Sequence, residues 1–269
     1  MRTCNIDKIT VGGDNPVRIM GVVNCSPESF FSGSYTRPEG VYEQAALLVE
    51  KGADIIDIGA RSTAPLSAPI SLAEESERMK TALSEFSGSD IPVSVDTMYP
   101  EVLETCLKYD ISCINDIHGL ANEKFAKVAG DSGLPAILMA SYDLPGDPEG
   151  FDAICDALNV VLNRARENGI DEIILDPAVG RWTPERTSED DWEIVRRFDE
   201  LNAFGYPLLA AVSRKTFIGD LVNAPPEGRL PGTLAVTYSL LEKEAAIVRA
   251  HDVSDTKDLI RVFEKLNRL

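Results

Sequence analysis

The sequence predicts an α/β protein folded as a single (β/α)8 TIM barrel over residues 1–269, and three observations carry that expectation. Short apolar runs of strand length alternate from end to end with amphipathic segments of helix length, the pattern of βα units around a parallel sheet. Eight such units can be counted, and eight fit a closed barrel, whereas an open doubly wound sheet needs a topological reversal. A chain of 269 residues, 44% of them hydrophobic, also falls within the size range of one such domain.

The strand candidates are, in order, VRIMGVV from Val17, DIIDIG from Asp54, IPVSVD from Ile91, SCIND from Ser112, PAILMA from Pro135, EIILDP from Glu172, PLLAAVS from Pro207 and AIVRAHD from Ala246. Each is dense in Val, Ile and Leu, as a strand covered on both faces must be. Between them VYEQAALLVEKG, LAEESERMKTALSEF, PEVLETCLKY and DWEIVRRFDELN repeat apolar residues every three or four positions, and DTKDLIRVFEKL follows the last strand as a further helix. The residues ahead of Val17 are read as a small strand element capping the barrel bottom. No repeat, low-complexity stretch or interdomain linker interrupts this alternation.

Composition excludes several function classes. Lysine and arginine total 26 against 44 acidic residues, and the net charge of -18 repels both a phosphate backbone and an anionic membrane. Neither a nucleic-acid partner nor a membrane partner is expected. The segment MRTCNIDKIT has no apolar run of signal-peptide length, and no stretch reaches the roughly 18 apolar residues of a membrane span, so a cytoplasmic location is expected. Cys4, Cys25, Cys106, Cys113 and Cys155 contain no CxxC pair and are read as reduced thiols. His118 and His251 lack a metal-ligand partner at helical spacing, which argues against a zinc site built from protein alone.

Function is expected at the C-terminal ends of the strands, where a barrel of this kind builds its site. Asn24, Asp57, Asp96, Asn115, Asp116, Asp176, Ser213 and His251 all fall there. Buried carboxylates are costly unless bonded, so several at one rim imply a ligand or a satisfied polar network. Two long loops rich in Ser, Gly and Pro, NCSPESFFSGSYTRPEG and ARSTAPLSAPIS, are the candidates for lids. SRKTFIGDL sets Ser213, Arg214 and Lys215 at a helix start, suited to an anion or a ring oxygen. Arg249 and His251 alternate on the eighth strand and point the same way, able to join Asn24 around a diphosphate and its magnesium.

From Met20 onward these motifs resemble the dihydropteroate synthase family. IMGVVNCSPESF, GADIIDIG with Ser62 and Thr63, VSVDT, INDIHGL, IILDP, SRKTFIG and VRAHDV are similar to that family's motifs in order and spacing. The resemblance implies a transferase of folate biosynthesis that condenses 6-hydroxymethyl-7,8-dihydropterin diphosphate with an arylamine such as p-aminobenzoate and releases pyrophosphate. It implies that Asp96, Asn115, Met139, Asp176 and Lys215 hold the pterin, with Asp96, Lys215 and Arg249 in the catalytic role. It further implies that Thr63, Ser213, Arg214, Arg249 and His251 line the diphosphate and arylamine groove, that Asn24 serves Mg2+, and that the protein forms a homodimer through helices near the C-terminus.

The departures from the family pattern gather on the arylamine side. Ala64 stands where the family has Arg, Ala140 where it has His after LM, and the turn after the sixth strand reads AVGRW. Arg181 is therefore assigned to the arylamine groove, where it would pair with a larger or phosphorylated arylamine. Two rival readings remain open from sequence: a corrinoid-linked methyltransferase acting on a methyl-tetrahydropterin, and a barrel that binds pterin without chemistry.

Overall fold

Each of the eight apolar runs contains a strand in the computed structural model, which describes residues 2–26, 35–62 and 69–267. A hairpin of β1 (Thr3–Ile6) and β2 (Ile9–Gly12) comes first. The barrel strands are β3 (Arg18–Asn24), β4 (Ile55–Gly59), β5 (Val93–Asp96), β6 (Cys113–Asp116), β7 (Ala136–Met139), β8 (Ile173–Asp176), β9 (Leu209–Ala210) and β10 (Ile247–Ala250). All pair in parallel in the order β8-β7-β6-β5-β4-β3-β10-β9. The two ends of that row meet through a Leu175–Leu208 bridge and a Leu175 N–H bonded to the Pro207 carbonyl at 2.9 Å, which closes the barrel.

Helices α1 (Val41–Glu50), α2 (Leu72–Ser84), α3 (Pro100–Cys106), α4 (Glu123–Ser132), α5 (Gly150–Glu167), α6 (Ser188–Arg196), α7 (Thr216–Val222), α8 (Leu230–Glu242) and α9 (Val253–Asn267) pack outside. Their starts follow local chemistry. Ser71 and Asn122 accept from the third backbone N–H of α2 and α4, and Thr187 with Asp190 forms a reciprocal capping box for α6. The segment DWEIVRRFDELN differs from expectation: α6 stops at Arg196, and tighter 3-10 turns over Phe198–Phe204 bury Phe198 and Leu201 before Gly205 reverses the chain at φ +75°.

The core has two compartments. One lies between the sheet and the helices; the other fills the barrel itself with Met20, Ile55, Cys113, Ile137, Ile174, Leu209 and Ile247. The hairpin pushes Cys4, Ile6 and Val11 into the bottom of that second compartment, each fully buried. Each buried aliphatic side chain adds about 1.5–3 kcal/mol relative to exposure. With the lower layers filled, the described residues leave room for a ligand at the opposite, C-terminal mouth. Among the described residues no helix is long and apolar enough to cross a membrane.

Candidate functional site

Register decides which strand-end residues face inward. Asn24 aligns with Gly59, Gly59 with Asp96, and Asp96 with Asn115, while Met139 aligns with Asp176, so these positions share the inner face. They open on a cavity whose empty space, including its open mouth, is about 820 Å3. Asn24, Asp96, Asn115 and Asp176 line it from β3, β5, β6 and β8; Ser213, Lys215, Arg249 and His251 line it from β10 and the segment after β9.

One side of the cavity is built on Arg249. Its Nε donates to Asp57 Oδ2 at 2.7 Å and its Nη2 to Asp96 Oδ2 at 3.0 Å. Asn115 Nδ2 donates to the same Asp57 oxygen at 3.1 Å. Asp57 is fully buried, and among the described residues its second oxygen has no hydrogen-bond partner. Two carboxylates thus share one guanidinium. Burial and repulsion from Asp57 push the Asp96 carboxyl up to about 7, with Arg249 pulling the other way. Burial works against the Arg249 cation, yet Asp57 and Asp96 together hold it above the ordinary arginine value.

The other side is built on Lys215, which immediately precedes α7. Its ammonium donates to the Val179 carbonyl and stands 5.5 Å from the centroid of the Trp182 ring. Burial pushes Lys215 down to about 8, opposed by the nearby Asp176 and Asp191. Asp176 Oδ1 accepts from the Ala178 N–H at 2.8 Å, and burial raises its carboxyl while Lys215 opposes the rise. Gly146 makes room for Trp182: at φ +63° an added Cβ would lie 2.2 Å from the indole Cγ.

The remaining expected residues divide. The Ser213 hydroxyl lies 2.9 Å from His251 Nδ1 and accepts from the His251 N–H at 3.2 Å, and burial with Arg249 close by pushes the imidazole down to about 3, so it is neutral. Met139 is buried at the same level as Asp176 but does not line the cavity. Arg214 is not brought into the cavity either: at φ +56° it turns outward, clamps Asp252 with two bonds of 2.8 and 2.7 Å, and donates to the Pro226 and Glu227 carbonyls. Arg181 is exposed and outside the lining. Asp116 faces away from Asn115 and accepts from the His118 and Leu120 N–H groups, a loop cap rather than a cavity group. Thr63 and Ala64, and the tip of the first long loop, lie outside the described residues.

Sequence reasoning assigned no role to Asp57, Arg61, Ser62 or Trp182. Asp57 was visible as a strand-end carboxylate, but its bond to Arg249 joins residues 192 positions apart. Arg61 and Ser62 line the cavity just after β4, where Arg61 Nε also donates to the buried Glu75 at 2.6 Å. An aromatic beside Arg181 in AVGRW was the available signal for Trp182.

The family of pterin binding enzymes matches this chain over residues 20–251. The dihydropteroate synthase of Clostridium beijerinckii is 34% identical over 93% of this chain and 94% of its own, and that of Bacillus subtilis is 33% identical over 92% and 88%. The solved dihydropteroate synthase of Coxiella burnetii, in complex with pteroic acid, superposes with a TM-score of 0.87 at 26% identity, over 98% of each chain. That of Xanthomonas albilineans, in complex with 7,8-dihydropteroate, gives 0.84 at 27% identity over 100% of each. With the family model matched over residues 20–251, relatives 33–34% identical over more than nine-tenths of the chain and solved structures superposing over nearly all of it, the chain belongs to the dihydropteroate synthase family of pterin-binding enzymes.

Proposed function

We propose that this protein joins 6-hydroxymethyl-7,8-dihydropterin diphosphate to an arylamine and releases pyrophosphate. The observation that carries this reading is the convergence of Asp96, Asn115, Asp176 and Lys215 with Arg249 and His251 around one closed-bottomed cavity. Asp176 and Asn115 present acceptor oxygens to the ring NH and amino groups of a pterin, and Lys215 donates to its carbonyl. Arg249 and the Ser213–His251 pair face the diphosphate. As the methylene C–O bond breaks, its electron pair leaves with pyrophosphate; the arylamine nitrogen then forms the new C–N bond and gives up a proton. Asp96 offsets the positive charge growing on the ring, and Arg249 the negative charge on the leaving group.

Mg2+ fits the donor set at this mouth. Asn24 offers one neutral amide oxygen on the inner face, and no group of three acidic, His or Cys side chains forms a cage among the described residues. Magnesium commonly keeps several waters and binds through few protein ligands plus substrate phosphates. Bound by Asn24 and the diphosphate, it would neutralise leaving-group charge.

The arylamine is p-aminobenzoate or a larger relative whose extra anionic group reaches Arg181 at the rim. A homodimer through the C-terminal helices is supported by exposed Val262 and Leu266 on α9, beside a cleft shared with Leu234 and Tyr238 of α8; sedimentation checks it. The deciding assay is magnesium-dependent pyrophosphate release, run in parallel with p-aminobenzoate and its ribofuranosyl phosphate relative. Tight pterin binding without release, or methyl transfer from a methyl-tetrahydropterin to a corrinoid protein instead, would overturn the reading.

A further inference from the structure

A buried ion pair beside the cavity has no part in the chemistry above. Arg186 is fully buried and Asp191 nearly so, and Arg186 Nη2 donates to Asp191 Oδ1 at 3.0 Å. The same carboxylate oxygen accepts from the Gly180 N–H at 2.6 Å, while Arg186 Nη1 donates to the Gly146 carbonyl at 3.3 Å. The pair is incompletely satisfied: among the described residues, Arg186 Nε and Asp191 Oδ2 are both buried without a hydrogen-bond partner. Ion pairs of this kind are weak sources of stability and are often matched by apolar residues of similar volume. Stability alone is a poor reason to bury one here.

Its contacts lead to the cavity wall. Gly180 follows Val179, whose carbonyl accepts from the Lys215 ammonium. Gly180 itself sits at φ +131° against the Lys215 side chain, where an added Cβ would come within 3.2 Å of Nζ. Arg186, Asp191, Gly180, Val179 and Lys215 therefore form one continuous series from the interior to the site.

We propose that Asp191, held in place by Arg186, is a positioning residue for Lys215: it fixes the Ala178–Gly180 turn that seats the ammonium and sets a negative charge behind it. This rests on the reading that Lys215 donates to the pterin. Four charged groups face the ammonium: Asp176 from β8, Asp191 from α6, Arg249 from β10 and Arg186 from the loop before α6. The two carboxylates hold its proton against burial and against the two arginines. Neutralising Asp191 alone removes one attraction and leaves the buried Arg186 cation uncompensated.

The test titrates Lys215 directly in the full chain, by competitive labelling with a small amine reagent across pH read by mass spectrometry, so that no turnover is required. The unaltered protein should give a midpoint near 8, and Asp191→Asn should lower it by about one pH unit or more. The paired variant Asp191→Asn with Arg186→Met removes both charges, guards against misfolding from a lone buried cation, and should bring the midpoint back toward the original. The KM for the pterin diphosphate should rise about tenfold in Asp191→Ala and far less in Asp191→Asn, whose amide oxygen still accepts from Gly180. An unmoved Lys215 midpoint in Asp191→Asn, with only a lower melting temperature, overturns the proposal. A moved midpoint in a protein that releases no pyrophosphate sinks the functional reading and leaves the positioning role standing.

Discussion

On the Arg249 side of the cavity a cation is gripped by two carboxylates, one of them also bonded to Asn115. On the Lys215 side, among the described residues, the ammonium bonds to one backbone carbonyl and Asp176 keeps one oxygen without a protein hydrogen bond. The first cluster is held together before any ligand arrives, with only Asp57 Oδ1 unpartnered among the described residues, so its field needs little reorganisation when charge separates. The second holds a donor and an acceptor with unused capacity. On the proposed reading the first wall supplies mainly electrostatics and the second, with Asn115, the recognition of the ring.

Five experiments break or sharpen that division. Asp57→Ala should have the largest effect, because it strips Arg249 of a buried partner; a loss of about 3–5 kcal/mol in urea unfolding is expected, and a loss under about 1 kcal/mol would mean the Arg249 cluster is not a structural unit. Asp176→Ala should act on binding instead, with pterin affinity falling by about 1–3 kcal/mol for each ring donor left unpaired, as read by calorimetry, and with little change in stability. Arg249→Ala is its counterpart: it should spare the bare pterin and weaken the diphosphate form, and equal losses for both would show that the two walls do not divide the substrate.

Gly146→Ala probes the Lys215 wall from behind. The left-handed backbone alone costs about 1–2 kcal/mol, and displacement of Trp182 should loosen the lysine, seen as a lower melting temperature with a raised KM for the pterin diphosphate. The smallest effect is a pH dependence. The folded Asp96 carboxyl lies at about 7 against an ordinary 3.8, so folding favours its protonated form. Its stabilising contribution is present below about pH 4 and is lost as pH rises through about 7. Asp96→Asn should lack this decline. His251, held neutral with its value near 3, acts with the opposite sign: its contribution is present above 6.5 and lost as pH falls. The Asp96 slope is therefore the difference between variant and unaltered protein, expected at about 1 kcal/mol after screening by the open mouth.

Much of this was legible in the sequence because barrel strands are buried on both faces and announce themselves as unbroken apolar runs, such as EIILDP before Asp176. Strand ends were less legible. PLLAAVS keeps only Leu209–Ala210 as a strand, with Leu208 in an isolated bridge to Leu175, and Ser213 and Lys215 soon afterward line the cavity. The SRK run reads as one basic cluster, yet the backbone turn at Arg214 sends that side chain to Asp252, a partner 38 residues away. DIIDIG marks Asp57 as the strand-end aspartate but not the groups that either aspartate meets. Asp54 instead bonds the Ile19 N–H and Arg18, while Asp57 takes the inner face beside Ser94. Such assignments depend on inter-strand register, which no short window of sequence contains.

The hairpin that drives Cys4, Ile6 and Val11 into the floor of the barrel makes the site, among the described residues, a sack with one doorway instead of a tunnel. Traffic through a single doorway is ordered: whatever lies deepest enters first and departs last. On the proposed reading the pterin end of the joined product is then the last to leave, and the next pterin diphosphate waits on that departure however fast the bond-making step becomes.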